Sequence, residues 1–254
     1  MHWIVQDNMF NEDGFKILID TLDRFDIKYS IHKVIPFAHD LVPDVNLADD
    51  RVMVMGAYTL ANIAKKKGWT PGVFMDNLDF KIQYEHWGDE FLNHDAIVTR
   101  LADVEPFEAP KFIRPTSDGK AFSGQVMDGF EFEHWKKQVL AIDSWSIVTG
   151  DTEIMICPLK KIYREIRNWV INGKVITSSG YKIGARVHSY EADPDEIEYA
   201  QRIADMWSPN EAYCLDIAST REGLKIVEVN NLNSSGFYGA DMQKLVMTLE
   251  DSFG

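Results

Sequence analysis

The chain of 254 residues contains only two cysteines, Cys157 and Cys214, far apart and without metal-ligand spacing. That usage excludes a disulfide framework and a cysteine-rich zinc site, and two free thiols fit a reducing cytosol. No apolar run approaches the roughly 20 residues that a membrane-spanning helix needs. The stretch Met1-His2-Trp3-Ile4-Val5-Gln6-Asp7 reads directly as a strand, without a basic leader or a cleavage site. A cytoplasmic location without membrane attachment is therefore expected. Positive charge is scarce: 26 Lys and Arg stand against 40 Asp and Glu, for a net charge of −14. Such a balance repels a phosphate backbone, and no basic run carries interleaved aromatics, so nucleic acid is excluded as the expected partner. Gly-x-Gly-x-x-Gly, a Walker A loop and Gly-x-Ser-x-Gly are all absent, and neither cysteine has a histidine at meaningful spacing. Dinucleotide binding and nucleophilic catalysis therefore have no visible apparatus. There is no Pro- or Ser-rich linker, repeat or low-complexity segment.

What is present suffices for a real core, with 45% hydrophobic and 12% aromatic residues. The first hundred residues alternate strand and helix signals. Trp3–Gln6 is a short apolar strand, and Asn11-Glu12-Asp13 caps a helix with Phe15, Leu18, Ile19 and Leu22 on one face. Ile27–Ile35 follows as a strand with Ile27, Tyr29 and Ile31 alternating. Arg51–Gly56 reads as a strand buried on both faces, and Tyr58–Lys67 as a helix stopped by Gly68. Gly72-Val73-Phe74-Met75 is a further expected strand. The rhythm predicts a small, mostly parallel sheet over residues 1–105, ending in a helical bridge at about Lys81–Ala102. Beyond it, Lys111–Pro115 is a strand, 116–124 a small-residue loop, and Phe130–Ile142 a helix. Asn172-Gly173 lies between two runs of β-formers, the strongest short hairpin signal in the chain. Pro194 opens a helix that puts Ile197, Ala200, Ile203, Ala204 and Trp207 toward the core.

The residues able to carry chemistry gather in the last third. Ala212–Ile217 and Leu224–Asn230 form a hairpin about 221–222, in which Asp216 stands opposite Glu228 or one diagonal step away. The two-residue period puts Glu228 and Asn230 on one face. Two carboxylates and an amide oxygen form a hard-oxygen site of the kind that holds Mg²⁺ with nucleotide phosphates. Positive charge is spaced for the same purpose. Arg114 ends a strand beside the loop containing Gly119, Lys120 and Gly124. Glu165 and Arg167 share a strand face, and Lys182 and Arg186 follow the hairpin. Cations on strands and loops of an acidic protein suggest a local anion site.

Taken in order, these pieces resemble the ATP-grasp superfamily over roughly residues 108–254. They look most similar to its compact members, found largely in phages and bacteria, with Arg in place of the usual first-lobe Lys. The resemblance implies an α/β fold: two α+β subdomains that close on ATP, preceded by a small Rossmann-like domain. It implies a small lobe at about 108–156 and a large lobe at about 157–254, within a 106–254 ATP-grasp domain. It also assigns roles: Arg114, Arg167 and Lys182 to catalysis, and Arg114, Lys120, Cys157, Pro158, Leu159, Glu165 and Asn230 to ATP. Asp216, Glu228 and Asn230 become metal ligands, and Asn233, Ser234, Ser235 and Gly236 the loop lining the phosphate and substrate cleft. One departure stands out. The hinge at Cys157-Pro158-Leu159 lacks the glutamate that caps the adenine segment, so ATP over GTP is left open.

The expected activity is an ATP-dependent carboxylate–amine (or carboxylate–thiol) ligase using one or two Mg²⁺, with Mn²⁺ as an alternative. Small-molecule or peptide carboxylates and amines are the implied substrates. Two other readings stay open on the sequence: a kinase on the same fold, and a non-catalytic nucleotide-binding or interaction module.

Overall fold

The computed structural model describes residues 1–7, 13–35, 40–48, 50–117, 121–142 and 147–254. The expected capping residues Asn11 and Glu12 lie outside them. The chain divides into two compact units. One joins Met1–Asp76 to Ile162–Gly254 and the other is Asn77–Lys161. This division differs from the cut at residue 105 expected from rhythm, because the first unit combines both ends of the sequence.

In the first unit, β1 (His2–Gln6), α1 (Asp13–Arg24), β2 (Tyr29–Ile35), β3 (Asp40–Val42), β4 (Arg51–Met55), α2 (Tyr58–Lys67) and β5 (Thr70–Gly72) come first. They build a sheet in the order β3-β2-β1-β4-β5. It is parallel except for β3, which runs antiparallel to β2. Residues alternate between two cores, as a sheet covered on both faces requires. Trp3, Val5, Met53 and Met55 join one core, whereas Ile4, Val52 and Val54 join Leu60, Ile63 and Ala64 of α2 in the other. Gly68 closes α2 in the left-handed conformation at φ 71°, as expected.

The second half of this unit holds β10 (Ile162–Ile171), β11 (Lys174–Ile183), β12 (Arg186–Tyr190), α5 (Pro194–Met206), β13 (Ala212–Thr220), β14 (Gly223–Asn231) and α6 (Met242–Phe253). The strands form an antiparallel sheet in the order β12-β11-β10-β13-β14. Asn172 and Gly173 both have positive φ, 50° and 72°, which matches the twist of a two-residue hairpin turn. Trp169, Ile171, Ala212 and Cys214 pack with Leu245, Val246 and Leu249 of α6 and with Trp3 and Val5, so both sheets share one core.

The other unit carries α3 (Phe80–Trp87), β6 (Ile97–Arg100), β7 (Lys111–Pro115), β8 (Gln125–Met127), α4 (Gly129–Leu140) and β9 (Glu153–Pro158). Its antiparallel sheet runs β6-β9-β7-β8 around Ile113, Ile154, Ile156, Met127 and Phe132.

Four expectations change. The helical bridge stops at Trp87, where Gly88 turns at φ 45°, and the β-branched run Ile97-Val98-Thr99 pairs with β9 instead. The strand expected at 72–75 lies at Thr70–Gly72, because the Phe74 N–H donates to the Asn233 Oδ1 at 2.9 Å rather than to a strand. Ile31 is exposed, and its neighbour His32 is buried with its ring nitrogens on Ser30 Oγ and the Pro43 carbonyl. On α5, Ile197 faces solvent. The buried residue is Glu196, which bonds the Asp193 N–H and pairs with Arg164.

Asn233 joins the two sheets. Its Nδ2 donates to the carbonyls of Val54 (2.8 Å) and Gly72 (3.1 Å), and its own carbonyl accepts from the Gly56 N–H. Asn233→Ala would strand three buried backbone groups, so we expect a loss of about 3 kcal/mol. Urea unfolding with an unchanged m-value measures it, and a loss below ~1 kcal/mol would contradict it. Burial pushes the thiol of Cys157 up to about 11 and that of Cys214 up to about 12. Both should therefore react with iodoacetamide at pH 8 at least ~100-fold more slowly in the native than in the unfolded protein. Mass spectrometry of timed samples reads this, and rapid native labelling of either thiol would refute it.

Candidate active site

The sequence places a two-residue turn at Arg221-Glu222, since Thr220 pairs with Gly223. Continued regularly, that register would set Val227 opposite Asp216. A β-bulge intervenes: Ile217 pairs with Ile226, and Asp216 then pairs with Glu228. The extra residue thus brings the second carboxylate into line, as bulges near functional sites do. The same device acts on the neighbouring hairpin. Ile166 pairs with Gly180 but Glu165 pairs with Lys182, so a bulge at Tyr181 sets two residues against Glu165. Both bond it, Tyr181 Oη to Oε2 at 2.8 Å and Lys182 Nζ to Oε1 at 2.5 Å.

Between the two bulges lies a cross-strand row of Ser179, Arg167, Asp216 and Glu228. Asp216 has no exposed surface, and Arg167 is nearly as buried. The guanidinium meets the carboxylate side-on, Nε to Oδ1 at 2.8 Å and Nη2 to Oδ2 at 2.7 Å. Its remaining nitrogen, Nη1, donates to the Gly236 carbonyl at 3.3 Å. Burial works against the charge on Arg167, but the adjoining Asp216 outweighs it and holds the guanidinium well above its ordinary value. Arg167 also lies 5.1 Å from the Tyr238 ring and 5.6 Å from that of Tyr181, and those rings stack at 4.7 Å. Burial raises the Tyr181 hydroxyl, so it stays protonated and donates to Glu165. Asn230 completes the group, its Nδ2 donating to Glu228 Oε1 at 3.0 Å and to Asp216 Oδ2 at 3.3 Å.

The expected site residues therefore fall as follows. Asp216, Glu228, Asn230, Arg167, Glu165 and Lys182 are brought together on one sheet face of the first unit. Glu165 contacts Lys182 and Tyr181, while the partner of Arg167 is Asp216. In the 233–236 loop, Asn233 is committed to the backbone of 54, 72 and 74. Ser235 Oγ bonds the Asn231 carbonyl, Gly236 accepts from Arg167, and the Ser234 hydroxyl is buried without a hydrogen-bond partner. Arg114, Cys157, Pro158 and Leu159 lie in the other unit. There Arg114 is half-buried at the end of β7, Cys157 is buried on β9 opposite Phe112, and Pro158 and Leu159 are exposed. Lys120 lies outside the described residues. Tyr181 joins the site without being marked by any sequence motif, and Tyr238 follows shortly after the 233–236 loop. Tyr238 sits at φ 46°, a backbone signal that no sequence pattern carries.

Among the described residues no three His, Cys, Asp or Glu side chains gather in a metal-binding cluster. Two facing carboxylates with an adjacent amide are nevertheless a donor set suited to a hard cation that keeps other oxygens from water or phosphate. The residues present fit Mg²⁺. Among the described residues no helix is long and apolar enough to cross a membrane.

Comparison with known proteins bears on the fold. Among solved structures, D-cycloserine synthetase DcsG superposes with a TM-score of 0.65 at 11% identity, covering 100% of this chain and 99% of that one. The D-alanine–D-alanine ligase of Bacillus anthracis gives 0.60 at 15% identity, with 98% and 92% covered. The ATP-grasp ligase PsnB, complexed with precursor peptide PsnA2 and AMPPNP, gives 0.57 at 12% identity, with 100% and 97% covered. No curated protein sequence matches. The family described as ATP-grasp domain, R-2-K clade family 3, matches residues 31–249, most of the sequence. The chain belongs to that family of ATP-grasp proteins.

Proposed function

We propose that this protein is an ATP- and Mg²⁺-dependent ligase that joins a carboxylate to an amine, or to a thiol, and releases ADP and phosphate. The carrying observation is the face-to-face pairing of Asp216 and Glu228 beside Asn230 and Arg167, in a chain of the ATP-grasp family. A phosphoryl-transfer site needs positioned charge more than a protein nucleophile, and this group supplies charge without one. Mg²⁺, held by Asp216, Glu228 and Asn230, would offset the negative charge of the phosphates. Arg167 and Lys182 would stabilise the transferring γ-phosphoryl group, with Arg114 and Lys120 assigned there by family resemblance. The backbone of Cys157, Pro158 and Leu159 is assigned to adenine on the same ground, and Glu165 to the ribose; its carboxylate meets Lys182 rather than Arg167, so the side chain it would orient is Lys182.

The family resemblance implies a route through an acylphosphate. The substrate carboxylate oxygen attacks the γ-phosphorus as its bond to the β-phosphate oxygen breaks, giving an acylphosphate and ADP. An amine then attacks the acyl carbon, the carbon–oxygen bond to phosphate breaks, and the amine gives up a proton. The structural relatives include a D-alanine–D-alanine ligase and a ligase complexed with a precursor peptide. By that likeness the substrates belong to the amino-acid or peptide class.

Calorimetry should show saturable ATP binding with Mg²⁺ and its loss in excess EDTA. Glu228→Gln should lower ADP formation on the order of 100-fold in the presence of the paired substrates. Full ATP turnover by that variant would refute the assignment. A stable phosphorylated product that forms without any amine would instead identify a kinase.

A further inference from the structure

The carboxylates proposed to hold the cation are already engaged by groups that occupy a cation's place. Both oxygens of Asp216 accept from Arg167, and Oδ2 also accepts from Asn230 Nδ2. That same Nδ2 bonds Glu228 Oε1. An amide that points its nitrogen at two carboxylates cannot offer its oxygen to a metal, so Asn230 must turn over to become a ligand. A guanidinium in the plane of Asp216 supplies positive charge where Mg²⁺ would supply it.

We infer that Arg167 is a placeholder for the metal. In the cation-free protein it neutralises Asp216. Metal entry displaces it and turns Asn230, and the freed guanidinium then meets the phosphates. This inference rests on the proposed function, and it adds an order of events: metal first, arginine–phosphate contact second.

The surroundings of Arg167 suit a side chain with two positions. Nη1 is held by a single carbonyl at 3.3 Å, the long end of the hydrogen-bond range. The stacked rings of Tyr181 and Tyr238 offer the guanidinium an electron-rich aromatic surface that does not fix direction, so it can pivot without leaving favourable contact. Tyr181 is anchored through Glu165 to Lys182, which keeps the cradle in place as the arginine moves. Along the path Lys182, Glu165, Arg167, Asp216 and Glu228, two cations meet three carboxylates. Arg167 and Lys182 together therefore leave a negative excess, whereas a divalent ion in the place of Arg167 removes it. Planar, two-pronged donors match phosphate oxygens as well as they match a carboxylate, so the released side chain has a second partner of equal geometry.

Competition makes a prediction opposite to that of a structural salt bridge. If the metal-competent state is populated one part in ten or less, removing the competitor strengthens metal binding at least ~10-fold. The test is Mn²⁺ binding to the full chain without nucleotide, read by electron paramagnetic resonance of the free ion. Arg167→Met should bind Mn²⁺ at least tenfold more tightly than the natural protein, and adding Glu228→Gln to it should abolish the gain. Its thermal midpoint should lie below that of the natural protein and rise on adding Mn²⁺. Equal or weaker Mn²⁺ binding by Arg167→Met would overturn the inference while leaving the proposed function standing. Absence of Mn²⁺ binding in both proteins would also overturn the inference, and calorimetry with ATP and Mg²⁺ would decide the metal assignment separately. Should Arg167→Met fail to fold, the Arg167 Nε–H resonance of the natural protein decides. It should shift and exchange faster as Mg²⁺ with a non-hydrolysable ATP analogue saturates the chain, and an unmoved resonance at saturation would overturn the inference.

Discussion

A carboxylate with no exposed surface cannot stay ionised alone, and much of the site's architecture answers that constraint for Asp216. Arg167 meets both of its oxygens, and the guanidinium in turn requires partners for its remaining nitrogen and its flat surface. Gly236 supplies a carbonyl, and Tyr181 and Tyr238 supply aromatic surface. Breaking such a buried pair by removing one member typically costs about 3–5 kcal/mol, whereas replacing both by well-packed apolar residues is often neutral. Stability alone therefore does not explain why the pair exists. An arrangement that leaves a charge available inside a water-poor site does, because a charge acts most strongly where the dielectric is low.

Arg167 and Asp216 face each other in regular register, whereas the charges on either side of them are reached through backbone irregularity. Two bulges, one in β14 at Val227 and one in β11 at Tyr181, each shift a register by one residue. In a strand that shift exchanges inward and outward side chains. Without the first, an apolar valine would face Asp216. Without the second, Lys182 would not lie opposite Glu165. Gly180 beside the second bulge serves the same end: a β-carbon there would fall 2.1 Å from the Tyr190 ring, which lies across the strand with its hydroxyl on the Glu165 carbonyl. The sheet thus places charge by local exceptions to its own period.

That origin explains what could be read from the residues and what could not. Asn172-Gly173 announces its hairpin because positive φ at both positions suits few other pairs. The closeness of Asp216 and Glu228 was legible from turn position and strand length. Which residue lies directly opposite was not, since a bulge has no two-residue signature. The Tyr181–Tyr238 stack escaped for a related reason, as it joins a bulge to a residue at positive φ far along the chain. Ile197 misled because helical spacing counts apolar residues, whereas the α5 face admitted Glu196 once Arg164 and the Asp193 N–H were there to meet it. The strand Ile97–Arg100 was hidden in a segment whose helical beginning is real but short.

Asn233 links site precision to the rest of the molecule. It follows the proposed ligands Glu228 and Asn230 by a few residues, yet its amide is spent on the ends of β4 and β5 rather than on the cleft. In α/β sheets the carboxyl ends of parallel strands are where ligands bind, because loops and unpaired backbone groups collect there. Here those ends hold the segment that runs on to Gly236 and Tyr238. The carbonyl that steadies Arg167 and one ring of its cradle are thereby anchored to a core packed on both faces. A site held within a fraction of an ångström needs such a support. The antiparallel sheet supplies the charges, and the parallel sheet, through one buried amide, fixes the loop against which they act.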